Sequence, residues 1–243
     1  MTSCTSLEQE LRHQALDLGA DFCGVADLSG AKELIRHLGG DMMAQYPLSL
    51  SVGVAMPFAI VDQLPRHQDR AVALAYSTHS YDILNNRLDQ IASRLAGIVQ
   101  SAGHRAFPVR ASQTANEEKL QGLYSHKLAA HLAGLGWIGK SCLLITPQIG
   151  PRVRWASILT DAPLPSGQAI EQRCGDCMDC VNACPVEAFT GRNFRSDEPR
   201  EARYDALKCH KYLQRHEHTP GLDVSVCGMC VYACPHGRDG VSG

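Results

Sequence analysis

Apolar residues recur at Leu7, Leu11, Ala15 and Leu18, a spacing that lines one face of a helix and predicts helix over residues 7–18. Thr5 and Glu8 read as a capping box at its start, and Gly19 stands where a C-cap glycine belongs. The unbroken run from Phe22 to Ala26 predicts a short buried strand, and residues 31–38 a second helix closed by Gly39 and Gly40. Residues 51–56 predict another buried strand, stopped by Pro57. The longest stripe follows Tyr81: Leu84, Leu88, Ile91, Leu95, Ile98 and Val99 repeat at helical spacing until Gly103, so that face is core. Residues 106–109 predict a strand, and 110–123 form a polar, irregular stretch that reads as a lid or loop. A helix over 124–132 ends at Gly134, and strands over 143–146 and 153–159 flank a turn between Pro147 and Pro151.

Helices and strands thus alternate to about Asp161, the pattern of an α/β fold, or of an α+β fold with a mixed sheet. Residues 162–168 are rich in proline, glycine and serine and read as a linker. The expected division is a core over 1–161, a linker over 162–170 and a cysteine-bearing module over 171–243. With 243 residues, 44% of them hydrophobic, the chain can bury one good core and carry a small appended module. A net charge of −2 gives no basic excess for a polyanion, so nucleic acid is not the favoured partner. No apolar run reaches the roughly 18 residues of a membrane span.

The candidate chemistry lies in the last third. CGDCMDCVNACP places Cys174, Cys177, Cys180 and Cys184 in the C-x2-C-x2-C-x3-C-P pattern, in which three thiolates of one loop hold a [4Fe–4S] cluster and the fourth crosses to another. CGMCVYACP supplies Cys227, Cys230 and Cys234, and Cys209 between the runs brings the count to the eight thiolates that two cubane clusters need. The crossed assignment puts Cys174, Cys177, Cys180 and Cys234 on one cluster, and Cys184, Cys209, Cys227 and Cys230 on the other. Zinc takes four ligands per ion and is crowded by so tight a C-x2-C-x2-C step. Disulfides are disfavoured because the start of the chain does not resemble a secretory leader, which points to a reducing compartment, the cytoplasm. Of the eleven cysteines, Cys4, Cys23 and Cys142 are left over as buried or incidental thiols.

The stretch HLAGLGWIGKSCLLI, residues 131–145, is very similar to the AGLGWIGK motif of epoxyqueuosine reductases. The ADFCGVA and SVGVAMP segments and the cysteine order also resemble that family, over nearly the whole chain. The resemblance implies a nitroreductase-like α/β (α+β) core that binds cobalamin, with a C-terminal ferredoxin-like 2[4Fe–4S] module feeding it electrons. It also implies an oxidoreductase, with an external donor such as ferredoxin or flavodoxin and a small-molecule substrate. Two departures matter. Leu120 falls at the position of the family's proton-donating aspartate, and an apolar side chain delivers no proton. The sequence ends at Gly243, where tRNA-reading members continue into helical repeats, so tRNA is not the expected substrate. A nitroreductase-like core also admits FMN as the alternative cofactor, and a chain without its own substrate would be an electron carrier that reduces a corrinoid or flavin on a partner.

Tyr124, Ser125, His126 and Lys127 gather a phenol, a hydroxyl, an imidazole and an ammonium at one helix start. That makes His126, with Tyr124 behind it, the candidate proton donor, against a solvated or capping role. Tyr81, His79 and His131 have nothing in the sequence to fix them near a ligand. Gly134, Gly136 and Gly139 around Trp137 either let the backbone approach a cofactor or simply form a cap and tight turn. They are no dinucleotide fingerprint, because they close a helix instead of opening one after a strand. Lys140 is a candidate contact to a cofactor phosphate or amide, or a snorkelling side chain. Arg152 and Arg154 are read as an anion-contacting pair or a salt-bridged sheet face.

Overall fold

The computed structural model describes residues 6–237, and Thr5 and Cys4 lie outside them. The chain opens with α1 (Leu7–Asp17), whose capping box uses Ser6 and Gln9: Ser6 Oγ accepts the Gln9 amide at 3.3 Å, and Gln9 Oε1 accepts the Ser6 amide at 3.2 Å. Next come β1 (Phe22–Asp27), α2 (Lys32–Ala44) and β2 (Leu48–Ala55). The stop expected at Gly39–Gly40 is a kink instead. Gly40 takes φ 70° and ψ −174°, a conformation costly for any residue with a Cβ, and the helix resumes to Ala44.

Between β2 and the long α5 (Leu84–Ser101) lie α3 (Phe58–Val61), α4 (Arg70–Ser77) and a π-helical turn over Thr78–Ile83, none of which the hydrophobic pattern resolves. Then follow β3 (Ala106–Val109), α6 (His126–Leu132), β4 (Trp137–Ile138), β5 (Leu144–Ile145) and β6 (Val153–Thr160). Residues 110–123 are loop, with a single bridge between Asn116 and Gln121. The cysteine-bearing part carries α7 (Asp179–Asn182), α8 (Ala206–Glu217) and α9 (Met229–Tyr232).

The main sheet has the order β1-β2-β6-β3, and every neighbouring pair is antiparallel. The fold is therefore α+β with an antiparallel sheet, neither parallel nor mixed. Strand direction depends on how each connection returns across the sheet, which the alternation of elements does not encode. Along β2 the side chains alternate: Leu50, Val52 and Val54 join α1 and α5 in the largest core cluster. Ser49, Ser51 and Gly53 fill the opposite face, where a Cβ on Gly53 would lie 2.6 Å from the Trp155 ring. Helices cover both faces, α5 over β6 and β3, and α6 over β1, β2 and β6, so the central strands β2 and β6 are buried almost throughout.

The expected linker is a packed strap. Ala162 and Leu164 are buried, and the Gly167 amide donates to the Val25 carbonyl at 2.8 Å. Packing also runs unbroken from core into module, since Leu222, Val224, Val226 and Val231 share a cluster with Leu64 and Tyr76. A bond between His67 Nε2 and the Tyr212 hydroxyl, 2.9 Å, crosses the same seam. No described helix is long and apolar enough to cross a membrane.

Candidate functional site

The cysteine thiols of the last third fall into two groups, visible in how they act on one another. Burial and then the thiols of Cys180, Cys174 and Cys177 push Cys234 up to about 12, and burial with Cys174 and Cys177 pushes Cys180 up to about 11. In the other group, burial with Cys209 and Cys184 pushes Cys227 up to about 11, while Cys230 is raised by burial and by Cys227, Cys209 and Cys184. Cys180 also acts on Cys230, so the groups lie side by side. Cys234 thus joins the first run across the chain, and Cys184 joins the second. Cys184 Sγ accepts the Ala188 amide at 3.3 Å. None of these cysteines is in a disulfide. Among the described residues no three His, Cys, Asp or Glu side chains converge closely enough to hold a single metal ion.

The glycine motif faces this module. Gly134, at φ 77°, sits where a Cβ would meet the Gln168 carbonyl at 2.6 Å, and a Cβ on Gly136 would run into the Ile145 carbonyl. At Gly139 a Cβ would lie 2.8 Å from Ile145 Cγ1 and 3.4 Å from Cys174 Sγ. Close approach is what these glycines provide, to the strap, to β5 and to a cysteine. Trp137 is buried edge-on to His236, 4.9 Å between ring centroids, with the Arg173 guanidinium over its ring at 5.8 Å. His131 donates from Nδ1 to the Gly136 carbonyl at 2.9 Å and helps to fix the turn. Lys140 is aimed at the first cysteine loop: Nζ lies 2.8 Å from the Gly175 carbonyl and 3.1 Å from that of Cys177.

The proton-donor reading of His126 fails on geometry. Its Nε2 stands 2.8 Å from the Arg110 carbonyl, which can only accept, so Nε2 carries the hydrogen and Nδ1 accepts from the Ser157 hydroxyl at 2.9 Å. Burial pushes the imidazole down to about 4, against the opposing pull of the Arg110 carbonyl. His126 is neutral at pH 7 and pins the 110–123 loop to β6. Tyr124 is buried with its acidity suppressed by burial, and although its hydroxyl approaches that of Ser49, neither makes a well-formed hydrogen bond. Lys127 donates to the Cys142 carbonyl at 2.7 Å, and Cys142 itself is a buried thiol beside Arg203.

Because the folded pKa of His126 lies below the ordinary 6.5, its contribution to stability is complete above about pH 6.5 and is lost as pH falls towards 4. The stability gap between wild type and His126→Gln should narrow by on the order of 2 kcal/mol across that window. Denaturant melts at stepped pH measure it. A gap that stays constant with pH would mark His126 as a solvated residue.

The two arginines do not form a pair. Arg152 is 1% exposed, bonded to Asp62 at 2.7 Å and stacked over Phe58. Arg154 forks onto Asn85 Oδ1 through Nε and Nη2, at 3.1 and 3.0 Å, and lies 4.5 Å over the Tyr81 ring. Tyr81 and Asn85 in turn line a groove of about 1410 Å³ along the polar face of α5, with Asn86, Asp89, Arg110 and Ser112. Asp89 holds the loop base, accepting the Ala111 amide at 2.7 Å. The buried Tyr76 meets Tyr81 edge-on at 6.2 Å, and Cys230 and Cys227 act on its phenol, so an aromatic pair joins the second thiol group to the groove. One signal of this groove is present in the sequence: the outward face of α5 carries Asn85, Asn86 and Gln90 where a merely solvated helix favours Lys and Glu.

Residues 173–237 match the family model described as a 4Fe-4S double cluster binding domain. An epoxyqueuosine reductase of Pseudomonas aeruginosa is 27% identical over 269 residues, covering 96% of this chain and 69% of that protein. The chain is epoxyqueuosine reductase-like. The Bacillus anthracis epoxyqueuosine reductase is 29% identical over 125 residues, 48% of this chain and 30% of its own length, so the chain matches less than a third of that relative. Among solved structures, a catabolic reductive dehalogenase in complex with 3-bromo-4-hydroxybenzoic acid aligns over 98% of this epoxyqueuosine reductase-like chain and 33% of its own, at a TM-score of 0.71 and 20% identity. A selenomethionine-labelled epoxyqueuosine reductase aligns over 96% of this chain and 66% of its own, at a TM-score of 0.61 and 18% identity. At those identities the likeness is one of fold.

Proposed function

We propose that the chain is an iron–sulfur oxidoreductase that passes single electrons from two [4Fe–4S] clusters to a corrinoid held by its core, and so reduces a small molecule. The observation that carries this reading is the sorting of eight thiols into two crossed groups of four, the second joined through Tyr76 and Tyr81 to a large groove. Cys174, Cys177, Cys180 and Cys234 would hold one cluster, and Cys184, Cys209, Cys227 and Cys230 the other. Burial and neighbouring cysteines disfavour bare thiolates here, so loss of their protons needs the positive charge of iron in exchange, and no three of the described side chains converge on a single ion, which suits a larger guest.

A cobalamin reading of the core has support in a structural neighbour, a reductive dehalogenase linked to B12-dependent dehalogenation. The groove has the donors for it: side-chain amides of Asn85, Asn86 and Gln90 would suit an amide-fringed macrocycle. A bound corrinoid would supply a metal centre that accepts electrons one at a time. The chain's own residues position it and close the site. Arg154 fixes Asn85 and Tyr81, and Asp89 with Arg110 anchors the loop above. The core is taken as nitroreductase-like, the donor as a ferredoxin or flavodoxin, and the compartment as the cytoplasm. A small molecule is preferred to tRNA because the net charge is −2 and Leu120 stands where the related enzymes are expected to carry their acid. One solved epoxyqueuosine reductase does carry a modified tRNA stem loop.

The test is anaerobic purification with cobalamin supplied, followed by cofactor extraction and by spectra during stepwise reduction. A corrinoid recovered and reduced only when the clusters are present supports the reading. FMN in its place moves the core to flavin chemistry, no core cofactor leaves an electron carrier, and tight binding of a tRNA stem loop restores the tRNA substrate.

A further inference from the structure

We propose that Lys140 is a positioning residue for the first cluster, whose buried ammonium holds the 175–178 loop and makes the centre bound by Cys174, Cys177, Cys180 and Cys234 easier to reduce than it would be without that charge. This rests on the double-cluster reading. Lys140 is 6% exposed, and its Nζ reaches the Gly175 carbonyl at 2.8 Å, the Cys177 carbonyl at 3.1 Å and Met178 Sδ at 3.6 Å. An ammonium has three hydrogens, and three acceptors are in place. All three are uncharged, whereas a cation taken out of water is retained at tolerable cost only beside an anion. The acceptors belong to the loop that carries Cys174, Cys177 and Cys180, and the neighbouring Gly139 packs so closely that a Cβ there would lie 3.4 Å from Cys174 Sγ. The anion this arrangement fits is a tetrathiolate cluster.

The asymmetry between the groups gives the consequence. Four thiolates around a [4Fe–4S] core carry an overall charge of 2− that becomes 3− on gain of one electron from a low-potential one-electron carrier, with no proton taken up. A fixed positive charge stabilises the more negative state more. The second group is faced by the phenols of Tyr76, Tyr204 and Tyr212, on two of which Arg154 and Arg200 act, whereas the Lys140 ammonium bonds to the first loop. The first centre is therefore easier to reduce with Lys140 in place than without it, and the second is left unmoved.

Potentiometric titration with electron paramagnetic resonance, on anaerobically reconstituted full-length protein reduced by dithionite, tests this. Lys140→Gln keeps hydrogen-bond donors and removes the charge. At a fixed potential the reduced-to-oxidised ratio of the first centre should fall at least about tenfold, a 59 mV shift for one electron, with the second centre unmoved. Lys140→Arg keeps the charge and should restore the wild-type value. An assembled Lys140→Gln protein with both potentials unchanged, or with the shift on the second centre, overturns the proposal. Should Lys140→Gln fail to retain the first cluster, Lys140→Arg decides: a wild-type potential supports the proposal and a lowered one overturns it. Wild-type protein that reconstitutes with fewer than two clusters would fail the double-cluster reading itself, which iron and sulfide analysis separates from failure of the role of Lys140 alone.

Discussion

Replacing Cys234 with serine should cost the protein the cluster of Cys174, Cys177 and Cys180, and leave intact that of its sequence neighbours Cys227 and Cys230. Wild-type protein reconstituted under anaerobic conditions should contain about eight irons and eight acid-labile sulfides per chain, and the variant about four of each. The reason lies in the end of each run. A short helix, α7 or α9, takes in the last thiolate of each loop, Cys180 or Cys230, and the cysteine that follows it, Cys184 or Cys234, ends up with the opposite group. Pro185 and Pro235 then stop the helix from continuing. Cys184→Ser is the mirror experiment and should remove the other cluster. Redox-resolved electron paramagnetic resonance distinguishes the two losses. If Cys234→Ser abolished the signal that Cys227→Ser abolishes, the crossed assignment would be refuted.

The double-cluster module was legible because cluster ligation is local chemistry written in spacings of two and three residues, whereas the crossed assignment of its thiols is a proposal that the Cys234→Ser experiment decides. The core stripe of α5 was legible for a similar reason: Leu84, Leu88, Ile91 and Leu95 are all at most 3% exposed. What the sequence could not show is which distant element a side chain meets. Lys140 read as a cofactor contact because its motif says nothing of the Gly175 loop 35 residues on, to which it bonds. His126 read as an acid because a free imidazole titrates near neutrality, whereas Ser157 and Arg110, 31 residues after it and 16 before it, occupy both its nitrogens. The groove was missed altogether. Its walls are polar residues on the outer face of a helix chosen for its apolar face, joined to Arg110 and Arg154 only by the antiparallel return of β3 along β6.

That groove is where the second large effect is expected. Arg154→Met should weaken corrinoid binding at least tenfold, about 1.4 kcal/mol, with iron content unchanged. One guanidinium fixes two walls at once, with two bonds to Asn85 and a face over Tyr81, so its removal frees both side chains and the bound guest must pay to order them again. Arg154→Lys keeps the charge but not the planar fork, and should fall with Arg154→Met, not with wild type. Tyr81→Leu leaves the arginine in place and removes the ring that Tyr76 touches. It should therefore slow reduction of the bound corrinoid more than it weakens binding. Equilibrium dialysis gives the affinities and stopped-flow absorbance the rates. Arg154→Met binding as tightly as wild type would place the corrinoid elsewhere, and a wild-type rate in Tyr81→Leu would remove the aromatic pair from the electron's route while leaving the groove its ligand.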